Sequence, residues 1–191
     1  MSPLRSTLVI ALATLVACTG VAMVGAQRAT VVTQTASAGT AMMHEDVPKT
    51  CPVTKPPGRP FIPPSPYPAN AAPDGFWFGT EKLWIMLPTD GSWRGLPHYT
   101  PEDTRFRQKL FWWSKGYDWH SENPPKLTVT GRRFDSPAPP LETDEHANSG
   151  WTDDRGHAFM VVGIFIPTLG CWKITGHYKG EELSYVVWVA Q

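Results

Sequence analysis

Charge imbalance, cysteine and catalytic signature motifs are all scarce in this chain. Lys plus Arg and Asp plus Glu both number 17, so the formal net charge is zero. Without a basic excess there is no electrostatic footprint for a nucleic-acid partner. Long-range steering of charged ligands is missing too. No Gly-x-Ser-x-Gly occurs, so there is no nucleophile elbow. Ser-x-x-Lys, Cys-x-x-Cys and a Gly-rich phosphate loop are also missing, and His44-Glu45 has no second histidine at the spacing of a zinc helix. No motif calls for a cofactor. Helical periodicity is wanting as well, and the 20 prolines oppose it, because each removes a backbone donor and fixes φ.

What the chain does have is aromatic. Nine tryptophans all fall between Trp77 and Trp188, and 41% of the 191 residues are hydrophobic, enough for a core. The length suits one domain with appendages.

The N-terminus reads as a targeting segment. Arg5 is followed by Ser6 to Ala26 without a charged residue. Two processing sites compete. Val24-Gly-Ala26 fits ordinary signal peptidase, giving a signal peptide over 1–26. Leu15-Val-Ala-Cys18 matches a lipobox, in which Cys18 is lipidated. An uncleaved anchor is the third option. Each predicts an extracytoplasmic protein: secreted, periplasmic or lipid-anchored, touching membrane only through the anchor or signal. In that oxidising setting Cys51 and Cys171 are expected to pair; two unpaired cysteines are the alternative.

Residues 27–50 are small and polar and read as a flexible tether. Residues 51–75 are proline-rich yet carry Phe61, Ile62 and Tyr67, so they read as an extended arm packed on the domain. From 76 to 191 strand signals dominate. Apolar or alternating runs cover 83–87, 109–115, 126–134, 157–166, 171–178 and 183–190. Residues 93–108 and 135–156 read as long loops. An all-β antiparallel sandwich with a proline-rich N-terminal arm is the economical fold, a closed barrel the runner-up.

Three segments carry a resemblance: Cys51-Pro-Val-Thr54, Gly79-Thr-Glu-Lys-Leu-Trp84 and Gly170-Cys-Trp172, the last opening a hairpin that ends in Leu183-Ser-Tyr-Val-Val-Trp-Val189. Together they resemble a family of bacterial secreted proteins and lipoproteins, and the hairpin resembles the closing one of immunoglobulin-like domains. The resemblance spans residues 51–191 and implies an immunoglobulin-like β-sandwich. It implies no activity. The antibody pattern is missing: position 169 is Leu rather than the corner tyrosine.

Candidate sites are soft. Glu142-Thr-Asp-Glu-His146, Asp153-Asp154 and His157 gather acid and imidazole around one loop. Asp144, His146, Asp153 and His157 are weak metal candidates, and paired carboxylates there are the basis of a small-hydrolase alternative. The tryptophans are the better lead. Strand alternation turns Trp84, Met86, Trp188 and one of Trp112 and Trp113 away from the core. The expected outcome is a second aromatic surface covered by Phe61, Ile62 and Tyr67; the alternative is an exposed platform on which sugars or peptide prolines stack. Trp93, Trp119 and Trp151 lie in loops and are the expected solvent-facing ligand contacts. The function these residues imply is a non-catalytic binding or structural domain, its partner a protein or glycan of the cell envelope.

Overall fold

The computed structural model describes residues 46–152 and 157–191. The signal and lipobox readings at 1–26 and Cys18, most of the tether, Asp153 and Asp154 lie outside the described residues.

Among the described residues the fold is all-β. The strands are β1 (Gly75–Thr80), β2 (Leu83–Pro88), β3 (Ser92–Arg94), β4 (Phe106–Trp113), β5 (Thr128–Arg133), β6 (Glu142–Thr143), β7 (Asn148–Thr152), β8 (His157–Ile166), β9 (Gly170–Tyr178) and β10 (Glu181–Ala190). They form two sheets. The first runs β1-β2-β4-β8-β6, with β7 also paired to β8; the second runs β3-β10-β9-β5. All pairs are antiparallel except β3 with β10, which are parallel. The expected purely antiparallel arrangement is corrected at this point. After β2 the chain turns at 89–91 and enters the other sheet, where Gly95 N–H donates to Ala190 O.

One apolar core draws on both sheets. Leu83, Ile85 and Leu87 of β2, Leu110 and Trp112 of β4, and Met160, Val162 and Ile164 of β8 meet Trp172 and Ile174 of β9 and Tyr185, Val187 and Val189 of β10. Period-2 alternation places them inward. Trp112 is fully buried and reaches across the core to the backbone of Gly176, where an added Cβ would lie 2.5 Å from its ring. A small residue in one sheet thus accepts the largest side chain of the other. The β9–β10 hairpin closes on Lys179-Gly180, both with positive φ (48° and 82°), the geometry of a two-residue type I′ turn.

Two expected loops contain structure. The 93–108 stretch holds most of β3 and the start of β4; the 135–156 stretch holds β6 and β7. β3, β6 and β7 are short and owe their order to backbone pairing with β10 or β8, which apolar periodicity does not report.

Cys51 and Cys171 are joined by a disulfide across 120 positions. Thr54 N–H donates to Val186 O, and Val186 N–H donates to Thr54 Oγ1, so the bridged segment also hydrogen-bonds to β10. The expected single second aromatic surface does not form. Trp84 and Met86 are on the outer face of the first sheet. Trp188 belongs to the second sheet, packed with Cys51, Cys171, Val47 and Val53. Alternation tells which residues of one strand share a face; it does not tell which strands share a sheet. Phe61 and Tyr67 do meet Trp84, whereas Ile62 is 66% exposed and covers nothing.

Candidate functional site

Trp119 and Trp151 are brought together from elements 32 positions apart. Their rings stack with centroids 5.4 Å apart and planes 30° from parallel. Trp151 lies on β7 opposite Ala158, and Ser149 lies opposite Met160. Both therefore take the side of the sheet that faces the core. At this edge, however, the cover is the 114–127 segment.

That segment is fixed by its own side chains. Tyr117 is buried, and its hydroxyl donates to Ser149 Oγ at 2.6 Å; Ser149 Oγ in turn donates to Asn123 Oδ1 at 3.2 Å. The Asp118 carboxylate accepts from His120 N–H at 3.0 Å and from the Ser121 hydroxyl at 2.8 Å, a local turn built by side chain on backbone. The Ser121 hydroxyl, first, and the His120 N–H hold the Asp118 carboxyl below its ordinary value. Glu122 accepts from the Tyr178 hydroxyl at 2.9 Å and from Lys126 N–H at 3.1 Å, and pairs with Lys179 at 2.9 Å. Burial works against its ionisation, but the Lys126 N–H, Lys179 and Tyr178 outweigh burial and lower its pKa. The Tyr178 hydroxyl is pushed up to about 12, by burial first and by the Glu122 anion as well.

Trp119 is thus carried on a pinned loop, half-buried against the core, with the His120 ring 3.9 Å from its own. Trp151 is 59% exposed. The result is an aromatic platform with imidazole, amide and hydroxyl groups beside it. Such a surface stacks on apolar faces of a ligand while neighbouring polar groups take hydrogen bonds.

The third expected contact, Trp93, is not solvent-facing. It is only 9% exposed, on β3 beside β10, with its ring edge-on to Tyr185 at 6.3 Å. Parallel pairing with the last strand draws it inward, which loop-like neighbours (Gly91, Gly95, Pro97) did not signal.

The acid and imidazole groups of 142–157 diverge. Glu142 pairs with Arg105. Asp144 Oδ2 accepts Gly163 N–H at 2.9 Å. Glu145 and His146 are in solvent. His157 is buried beneath Tyr67, ring centroids 5.4 Å apart. It opens β8 while Asp144 sits at Gly163, six residues along that strand, or roughly 20 Å. The expected cluster of Asp144, His146 and His157 is therefore not assembled. Among the described residues no three His, Cys, Asp or Glu side chains are grouped to hold a metal ion.

Sequence reasoning missed Tyr117, Asn123, His120 and Ser149. The Asp118-x-His120-Ser121 spacing, suited to a side-chain-built turn, is the one signal in the sequence that could have found this loop. The chain matches no family model, no curated protein and no solved structure.

Proposed function

We propose that this protein is an extracytoplasmic binding module of immunoglobulin-like architecture that takes glycans on the Trp119–Trp151 platform. The observation that carries the reading is the stack itself: an exposed ring held in place by a second ring, which is held in turn by a side-chain network. A ring fixed before the ligand arrives loses little entropy on binding. Sugar faces rich in C–H bonds suit such a ring, and His120, Asn123 and Ser149 supply polar partners nearby.

Strand order supports the architecture. β2, β4, β8 and β7 follow the A, B, E, D order of one immunoglobulin sheet, and β5, β9 and β10 follow C, F, G of the other. β1 is additional, and the disulfide runs from β9 to the segment before β1 rather than between the sheets. The disulfide supports an oxidising compartment. The proposal extends to membership of the bacterial secreted and lipoprotein family that Cys51-Pro-Val-Thr54 and Gly170-Cys-Trp172 resemble. The contacts of Phe61 and Tyr67 with Trp84 support the reading of 51–75 as a packed arm.

A glycan array probed with the full domain and with Trp151→Ala tests the proposal. The expected result is a set of glycans retained by the parent and lost by the variant. Retention of the same set by folded Trp151→Ala would overturn it. Capture of a defined envelope protein, with no glycan bound, would move the platform to protein recognition.

A further inference from the structure

The first sheet is split. β2 and β4 pair over only Trp84 with Trp113 and Ile85 with Trp112. Beyond these pairs Met86–Pro88 and Arg107–Phe111 have no strand partner in each other, although β2 stays paired to β1 and β4 to β8. The two strands border a cleft of about 660 Å³. That is within the range of roughly 300–1,000 Å³ usual for small-molecule sites.

The floor of the cleft is core: Leu87, Leu110 and Trp93. Its walls include Met86 and Phe111, which are 39% and 40% exposed. Large apolar side chains so exposed in a concavity are a surface awaiting an apolar ligand. The mouth has a sign. Arg107 and Lys109 line it, against the single carboxylate of Asp74.

Arg107 is held between two rings and is only loosely ion-paired, to Asp144. Its guanidinium carbon lies 4.5 Å from the Tyr99 ring centre and 5.6 Å from that of Phe165. The nearest carboxylate oxygen, on Asp144, is 3.9 Å away, too far for a hydrogen bond. Its Nε is buried with no acceptor. Among the described residues no acceptor is bonded to this guanidinium. Two rings fix the plane of a guanidinium whose terminal nitrogens make no hydrogen bond among the described residues, an arrangement suited to a planar carboxylate.

We propose that this cleft binds an amphiphilic monocarboxylate, its hydrocarbon tail lying between Met86 and Phe111 and its carboxylate on Arg107, with Lys109 at the mouth. Apolar walls with one cationic end select that class over neutral or cationic amphiphiles. The site is separate from the Trp119–Trp151 platform and does not depend on it.

The test uses dodecanoate below its micelle concentration, titrated calorimetrically into the full domain, with dodecanol and dodecyltrimethylammonium as comparators. Dodecanoate is expected to saturate one site and to bind about ten-fold or more tighter than either comparator, since the lost contact is a charge-assisted hydrogen bond. Arg107→Gln is expected to erase that preference. Should Arg107→Gln fail to fold, Met86→Glu at an exposed position carries the test by placing an anion beside the tail and abolishing binding. Trp151→Ala is expected to leave dodecanoate binding unchanged. Equal affinity for dodecanoate and dodecanol, unaltered binding by Met86→Glu, or no saturable binding would overturn the proposal.

Discussion

Tyr67 meets Trp84 edge-on, their ring centroids 5.0 Å apart, and Phe61 approaches the same indole at 5.8 Å. Trp84 points away from the core yet has no exposed surface. The proline-rich stretch closes over it because fixed φ values let two rings be presented at small entropy cost. Tyr67→Ala is expected to destabilise the domain by about 2–4 kcal/mol, a little under the roughly 3–5 kcal/mol of a core aromatic because Tyr67 is half-buried. Urea denaturation followed by tryptophan fluorescence measures this, and acrylamide quenching of the folded variant should rise as Trp84 becomes accessible.

The Cys51–Cys171 bridge acts on the same N-terminal segment at the other sheet. A closed loop of 120 positions restricts the unfolded chain strongly. Cys51→Ala with Cys171→Ala is expected to cost about 2–5 kcal/mol. The hydrogen bonds between Thr54 and Val186 remain, so the variant should stay folded with a lower Tm. Calorimetric melts with and without reductant check this: reductant should lower the Tm of the parent and leave that of the variant in place.

Stability should depend on pH through Glu122 and Tyr178. The Glu122 pKa is lowered below its ordinary 4.5, so its contribution is present above that value and fades as pH falls through the folded pKa. Asp90, Asp103, Asp118 and Asp135 are lowered likewise and deepen the acid limb. The Tyr178 hydroxyl is raised from 10.0 to about 12, so stability is full below pH 10 and declines as pH rises towards 12. Glu122→Gln should make the acid limb shallower, and Tyr178→Phe should make the alkaline limb shallower without removing it, because burial raises Tyr67, Tyr117 and Tyr185 as well. Denaturant midpoints measured across pH for the three proteins give the slopes.

Gly176 is a packing requirement rather than a turn. An added Cβ would meet three atoms of the fully buried Trp112 ring at 2.5, 2.6 and 2.9 Å. Gly176→Ala is expected to cost about 1–3 kcal/mol through overpacking. Gly58, which has nothing within 4 Å of a Cβ, serves as the control; Gly58→Ala should leave the denaturation midpoint unchanged.

The closing hairpin was legible because its inward residues alternate over nine and ten positions around a glycine-bearing turn. β8 was legible as a central strand, being apolar on both faces. β7 was not: Asn148-Ser-Gly-Trp-Thr152 has no apolar period, and its order comes from pairing with β8. The candidate platform was invisible for the same reason. Trp119 and Trp151 were both marked as surface contacts, but their stacking depends on where β7 runs. The split between β2 and β4 is likewise a matter of where pairing stops, which neither strand's sequence states. Trp93 shows the converse, a residue with loop neighbours buried by a parallel partner nearly 100 positions later.

The most direct measurement of the central claim is the indole N–H spectrum of the labelled protein. Nine tryptophans give nine such signals, assignable by Trp119→Phe and Trp151→Phe. On titration with a glycan retained on the array, the signals of Trp119 and Trp151 should shift while those of Trp112 and Trp172, fully buried in the core, stay fixed. Shifts confined to Trp77, Trp113 or Trp188, with Trp119 and Trp151 unmoved at saturation, would contradict the account.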